Sequence, residues 1–292
     1  MSKTVAYPFD DRARTLCPGL RVDTVLHRAD KAVLLAGTLD GLDVVAKLLI
    51  DTDPFWQAKF TAEIDTYRAF EVAPPPVPAP RLLAADPDAG VLVSTRLPGV
   101  PAARDRYPTA LSPDDVRVML QAARDLRGWS APDDLFPAVW DYPHRFGRYR
   151  TEHGLLDARD EAALNALAAA AGPMHLAHGD LLPANVLRAP GGVLTGVLDW
   201  EFTGRFLPGL DAALLWIVLG QLPAARRDAE QIAGDGVPRQ AGFWANAATL
   251  CVRELRTHGE LPDGPLRAAR LPYLRATWET VRGRVHELAG QL

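Results

Sequence analysis

Five of the nine residues 72–80 (VAPPPVPAP) are proline. Proline fixes φ and offers no N–H, so neither a regular helix nor a central strand can run through this stretch. It is an extended connector, with a PxxP ligand as the competing use of such a segment. It also divides the chain into unlike parts. Before it, residues 20–50 read as strand-rich: the apolar runs 33–35 and 44–50 are separated by the turn-prone Leu39, Asp40 and Gly41. Asp53 followed by Pro54 is a helix start, a capping acid with proline at the first position, and the helix continues to about Phe70. After the connector, residues 81–85 and 91–96 read as a hairpin. From about Ser112 the pattern turns helical, with candidate helices at 113–127, 157–171, 209–222, 239–258 and 265–289. One β-like interruption is expected: 185–187, a turn at 189–192, then 193–200. The expectation is an α+β, bilobal chain with a cleft between the lobes, divided into residues 1–97 and 98–292.

The 292 residues suffice for two lobes with sizeable cores. The net charge of −4 is spread along the chain, which excludes the clustered positive charge that nucleic acid or an anionic membrane requires. Cys17 and Cys251 lie far apart with no metal-ligand spacing, so a structural zinc site is not expected. The first residues lack an apolar segment of the signal-peptide kind. The longest apolar run, 212–219, is far short of a membrane span. The expected setting is the cytoplasm, as a monomer or homodimer.

Only four of the 32 basic residues are lysines, which makes each one informative. Lys47 lies inside the apolar strand VVAKLLI, where a lysine must be paired or destabilising. Trp56, Phe60, Glu63, Tyr67 and Phe70 recur at spacings of three and four, which puts Glu63 on the apolar face of its helix. A Lys47–Glu63 ion pair accounts for both anomalies, whether functional or purely structural. Lys59 and Asp65 fall off this stripe and read as solvent charges.

A second group lies in HGDLLPANVL, residues 178–187. Asp180 and Asn185 flank a short loop that enters a strand. The turn at 189–192 folds the chain back and returns Asp199 to the same end. Three oxygen-bearing side chains therefore converge, and they are hard ligands suited to Mg²⁺ beside phosphates. The competing reading is that Asp180 and Asn185 stabilise a loop while Asp199 ends a strand. A charge following Val197 and Leu198 is poorly explained by packing.

These residues resemble the aminoglycoside phosphotransferase and choline kinase families of the protein-kinase-like superfamily. HGDLLPANVL resembles the catalytic loop H-G-D-x-x-P-x-N, LDWE (198–201) the metal-binding segment, and VVAKLL the lysine strand. The Glu63 helix resembles the partner helix of that strand. LVSTRLPG (92–99) resembles the hinge whose backbone takes the adenine, which assigns Ser94 and Arg96 to the nucleotide. GLDAAL (209–214) resembles the helix start that braces the catalytic loop. The resemblance covers about 20–220. It implies a phosphotransferase moving the γ-phosphoryl group of ATP, or GTP, to a small-molecule alcohol with Mg²⁺. Asp180 would be the catalytic base, Asn185 and Asp199 would hold the metal, and Lys47, fixed by Glu63, would contact the phosphates. His178 would brace the loop.

Two departures stand out. The expected nucleotide loop, residues 27–33, carries no glycine, and Lys31 is either a compensating point charge or a solvated turn residue. Leu182 stands where a polar residue is common and would shape the acceptor pocket or simply pack. The missing glycine supports an alternative, a catalytically silent kinase-like module that only binds a nucleotide or ligand. Nine residues separate Glu201 from Asp211, too few for a peptide platform, which disfavours a protein substrate. Residues 101–292 hold 23 Asp and Glu against 21 Arg, so no polycation site stands out. Glu201 is the best-placed acceptor contact, with Asp211 and Glu254 as further candidates. Trp129, Trp140, Trp216, Trp244 and Trp278 could box a quaternary amine, although core packing is their commoner use.

Overall fold

A computed structural model describes residues 10–292; the reading of the first nine residues falls outside them. After a short helix α1 (Asp10–Leu16), strands β1 (Arg21–Arg28), β2 (Ala32–Leu39) and β3 (Leu42–Leu49) form a meander. Helix α2 (Pro54–Phe70) follows, then β4 (Leu82–Asp86) and β5 (Val91–Thr95). The five strands make one antiparallel sheet in the order β1-β2-β3-β5-β4. Residues 72–81 connect α2 to β4 without regular structure, as five prolines require. The Asp53 side chain accepts the Phe55 N–H at 2.8 Å, and Pro54 occupies the first turn of α2.

The two faces of the sheet go to different cores, because side chains alternate along a strand. Ala46 and Leu48 of β3 join Ala13 of α1 and Cys17, just beyond it, in a small core. Leu92 of β5 joins Phe60, Ile64 and Tyr67 of α2 in the large core that continues through the helical part. Lys47 pairs in register with Leu92, so it shares the α2 face with no apolar role there.

The remainder begins with a two-residue strand β6 (Val100–Pro101) and helices α3 (Pro113–Leu126), α4 (Tyr142–Thr151) and α5 (Ala158–Ala170). Strands β7 (His175–Ala177), β8 (Val186–Ala189), β9 (Val193–Val197) and β10 (Gly204–Phe206) come next. Helices α6 (Leu210–Val218), α7 (Pro223–Ala233), α8 (Val237–Gly259) and α9 (Pro265–Ala289) complete the chain. The expected hairpin at 185–200 is β8 paired with β9. The expected helix 209–222 ends at Val218, with a turn at Leu219 and Gly220, and a separate helix outside the expected set follows with Pro223 in its first turn. Helix α4, which begins at Tyr142 before Pro143, was not anticipated. Cys17 and Cys251 are free and buried, one in each part of the molecule. Among the described residues no helix is long and apolar enough to cross a membrane.

The C-terminal helix is pinned by charge. Asp160 caps α5 reciprocally with Asp157, and it accepts from Arg282 Nε and His286 Nε2 of α9 at 2.8 Å each. Burial opposes its charge, but Arg282 and the other donors hold its carboxyl below the usual range. Its contribution is therefore present above the ordinary carboxylate pKa of about 4 and is lost as pH falls through the lower folded value. Arg282→Ala should lower unfolding stability by about 1–2 kcal/mol at neutral pH. The difference from wild type should shrink at about pH 3, which urea unfolding at the two pH values would measure.

Candidate active site

The hairpin register explains why the oxygen-bearing residues meet. Val186 pairs with Val197, and the Leu198 N–H donates to the Asn185 carbonyl at 2.8 Å. Asn185 and Asp199 thus leave the hairpin at the same end. Asn185 donates from Nδ2 to the Asp180 carbonyl at 2.9 Å, which turns its amide oxygen into the atom available to a cation. Asp199 is left-handed, with φ of 64°, a conformation that acidic and amide side chains tolerate better than most. Such a backbone persists where surrounding contacts over-determine it.

Those contacts come from three elements. Lys47 Nζ donates to Glu63 at 2.6 Å, to Asp199 at 2.9 Å and to Glu201 at 3.2 Å. Tyr67 adds its hydroxyl to the second Glu63 oxygen at 3.2 Å. Lys31, at the turn between β1 and β2, lies 2.6 Å from Glu201 and 4.4 Å above the Trp56 ring. Burial would lower the Lys47 pKa, but Asp199, Glu63 and Glu201 raise it well above the usual value, so the ammonium stays charged. Burial likewise opposes the charge on Asp199, yet Lys47 and Lys31 bring its pKa down to about 2. Glu63, Asp199 and Glu201 each place a carboxylate oxygen within 4.8 Å of the others. Three carboxylates outnumber the two lysines, an imbalance that a divalent cation relieves.

The loop carrying Asp180 is held from below. Asp211, in the first turn of α6, accepts the backbone N–H groups of His178 and Gly179 at 2.9 and 3.1 Å. The His178 ring is fully buried. Its Nδ1 accepts the Asp180 N–H at 3.2 Å, which leaves Nε2 to donate to the Leu198 carbonyl at 2.9 Å. Both ring nitrogens are thereby engaged. Gly179 has φ of 88°, and a Cβ there would stand 2.2 Å from the Phe202 carbonyl oxygen.

The other side of Asp180 is basic. Nη2 of Arg106 and Nη2 of Arg253 each lie 3.8 Å from its Oδ1. Between them Glu254 takes two hydrogen bonds from Arg106 at 2.8 and 3.1 Å, the Tyr107 hydroxyl at 2.7 Å and Arg253 at 3.2 Å. Burial opposes the Glu254 charge, and Arg106 and Arg253 hold its pKa down at about 2. Burial raises the Asp180 carboxyl, and the same two arginines oppose that rise.

The remaining sequence candidates are placed as follows. Glu201 is 3% exposed and faces Lys31 and Lys47. Asp211 braces the catalytic loop, and Glu254 is enclosed by arginines. Ser94 lies in β5 between β3 and β4. The Thr95 and Arg96 N–H groups donate to the Arg81 and Asp43 carbonyls at 2.9 Å each, so they are engaged within the protein. Trp129 packs against Phe70, Phe136 and Trp200, while Trp216 packs against Phe243 and Trp244, leaving no aromatic box around a quaternary amine from these rings. Trp278 belongs to the large core. Lys59 is a correction: it is not a free surface charge but is half-buried, 4.4 Å above the Phe202 ring. Arg106 and Arg253 escaped the sequence reading because no local pattern joins residues 147 positions apart.

Residues 27–245 match the family described as the phosphotransferase enzyme family. Among solved structures, a macrolide 2'-phosphotransferase type I is 19% identical with a TM-score of 0.58, covering 96% of this chain and 99% of that one. The GDP complex of aminoglycoside 2'-phosphotransferase-IIIa is 15% identical with a TM-score of 0.59, covering 96% and 98%. A choline/ethanolamine kinase family protein from Mesorhizobium loti is 16% identical with a TM-score of 0.59, covering 91% and 93%. No curated protein sequence matches. These likenesses identify the fold as protein-kinase-like.

The close approach at Gly179 makes a sharp prediction. Gly179→Ala must push the loop off the 199–203 segment, so it should abolish phosphotransferase activity and lower the melting temperature. Asp40, which with Asp199 makes up the positive-φ non-glycine residues among those described, sits on an exposed turn, and Asp40→Gly should leave both nearly unchanged. Differential scanning fluorimetry with a turnover assay checks both variants.

Proposed function

The chain belongs to the phosphotransferase enzyme family, and on that premise we propose that it moves the γ-phosphoryl group of ATP or GTP to a hydroxyl of a small molecule. The observation that carries this reading is the contact of Lys47 with Glu63 and Asp199 together. A purely structural Lys47–Glu63 pair would have no need of a third, partly exposed carboxylate from the far end of the β8–β9 hairpin. Residues 1–97 serve in this reading as the nucleotide lobe and 98–292 as the catalytic and acceptor lobe.

Each residue then has a defined task. Lys47 turns from Asp199 and Glu201 to meet the α- and β-phosphates, while Glu63, itself bonded by Tyr67, keeps hold of it and fixes its direction. Because the Thr95 and Arg96 N–H groups are already engaged, base recognition at this edge falls mainly to carbonyl oxygens. Asn185 and Asp199 present hard oxygens of the right chemistry for Mg²⁺, with Glu201 nearby. A bound magnesium ion would supply neutralisation of charge on the transferring phosphate. Asp180 accepts the proton of the acceptor hydroxyl as that oxygen bonds to the γ-phosphorus. The bond from phosphorus to the bridging oxygen breaks, and its electron pair leaves with the nucleoside diphosphate. His178 holds the loop with both nitrogens engaged and does no proton transfer. The GDP complex of the related aminoglycoside phosphotransferase supports a nucleotide in the cleft. Lys31 takes the place of backbone N–H groups in the glycine-free loop.

A catalytically silent module keeps one point in its favour, since Lys31 and Lys47 are both occupied by acids. The two readings separate in one experiment. Asp180→Asn should cut Mg²⁺-dependent nucleotide turnover with a panel of alcohols by about 10²–10⁴-fold while nucleotide affinity is kept. No turnover in wild type despite nucleotide binding would establish the silent module. The pH profile gives a second check. Asp180 must be ionised to act, so kcat/KM should fall on the acid side. Arg253→Gln removes a charge that holds the Asp180 carboxyl down, and the acid limb should move to higher pH.

A further inference from the structure

Two carboxylates and two guanidiniums form one cluster beside the catalytic loop, and the hydrogen bonds within it are shared unequally. Glu254, on α8, is 4% exposed. Its Oε1 accepts Arg106 Nη2 at 2.8 Å and Arg253 Nη2 at 3.2 Å. Its Oε2 accepts Arg106 Nε at 3.1 Å and the Tyr107 hydroxyl at 2.7 Å. An ionised carboxylate offers about four lone-pair sites, so Glu254 is saturated. For Asp180 the same two Nη2 atoms stand 3.8 Å from Oδ1, beyond hydrogen-bond distance. The bonds Asp180 does make run through its backbone, which donates to His178 Nδ1 and accepts from Asn185 Nδ2. Among the described residues no donor is hydrogen-bonded to its carboxylate, although that side chain is only 14% exposed.

A buried carboxylate beside two guanidiniums ordinarily takes short, charge-assisted bonds from them. What prevents it here is a competitor. Arg106 is forked onto Glu254 through two nitrogens, and Arg253 is the neighbour of Glu254 on α8. Tyr107 fixes the far side of Glu254 and is itself packed edge-on against Tyr273 and His258. To accept a proton from a hydroxyl, Asp180 needs an ionised carboxylate and a lone pair free to face that hydroxyl. The arginines favour the first through their field across 3.8 Å. Glu254 preserves the second by keeping their N–H groups to itself. Resting on the phosphotransferase reading above, we infer that Glu254 is a positioning residue of the reaction, a competing carboxylate that holds Arg106 and Arg253 off Asp180. It acts through the two arginines and not on the reacting atoms. Without it, Asp180 is the carboxylate left within reach of both guanidiniums. They then close on it, occupy its lone pairs and turn it from the acceptor.

Crystal structures and steady-state kinetics test this on the full chain. In wild type both arginines should be bonded to Glu254 and clear of Asp180; a hydrogen bond from either to the Asp180 carboxylate would overturn the inference before any substitution is made. In Glu254→Gln at least one guanidinium should move to within about 3.2 Å of Asp180. Turnover is measured with MgATP and MgGTP, and with erythromycin, hygromycin B, choline, ethanolamine, L-homoserine and glucose as acceptors. With whichever pair wild type uses, Glu254→Gln should lower kcat by about tenfold or more and change nucleotide KM by less than about threefold. Arg106→Gln added to Glu254→Gln removes one of the released cations, so kcat of the double variant should exceed that of the single by about fivefold or more. A merely structural Glu254 gives the opposite order, because a second substitution in the cluster then adds to the damage. Glu260→Gln, an exposed acid at the end of the same helix, should change nothing. Arginines that stay in place in Glu254→Gln, a kcat for that variant within about threefold of wild type, or a double variant no faster than the single would overturn the inference. Arginines that close on Asp180 in Glu254→Gln, with no wild-type turnover of any pair, would uphold the competition while removing the kinase reading.

Discussion

Lys47 is the residue through which the two parts of the molecule communicate. Its ammonium is held by a carboxylate from α2 and two from the segment after β9, so sheet, helix and hairpin converge on one charge. Burying that many ionised groups is unfavourable unless each is paired, and the geometry here pairs all of them. The arrangement orients α2 against the sheet and orients the Asp199 carboxylate toward the sheet. It also leaves one more acid than base around Lys31 and Lys47.

A second device sets the height of Asp180. Asp211 draws in two consecutive N–H groups, His178 ties the loop to the strand end at Leu198, and Gly179 lets the backbone press on Phe202. None of these contacts touches a reacting atom. Together they hold one carboxylate in place, where burial raises its pKa and two arginines restrain that rise. Catalysis by positioning needs such rigidity, because misplacing a reactive group by about 1 Å is costly in rate.

The basic lining beside Asp180 separates what the fold supports from what its relatives' names suggest. The related structures are a macrolide phosphotransferase, an aminoglycoside phosphotransferase and a choline/ethanolamine kinase family protein, yet the side chains facing Asp180 here are arginines. A fold of this kind fixes where a hydroxyl must sit relative to the phosphoryl donor. Arg106 and Arg253 lie on the loop after β6 and on α8, which can change charge without disturbing the hairpin or the lysine cage.

Much of this was legible in one dimension. The proline connector, the capped helix after Asp53, the β8–β9 hairpin and the pairing of Lys47 with Glu63 all rest on local pattern: proline chemistry, a capping acid, and spacings of two, three and four. Local rules sufficed because each of these features is built within about twenty residues. Helices α4 and α7 and the embedding of Lys59 were not so marked. The roles of Glu201 and Glu254 were decided only in three dimensions, where Glu201 met two lysines and Glu254 met two arginines from distant segments. Sequence alone determined that Lys47 would meet Glu63 and that Asn185 and Asp199 would leave one hairpin at the same end. Tertiary structure alone decided the charge of the wall opposite Asp180, because the attraction between Arg106, Glu254 and Arg253 depends on distance in space and leaves no periodic trace along the chain.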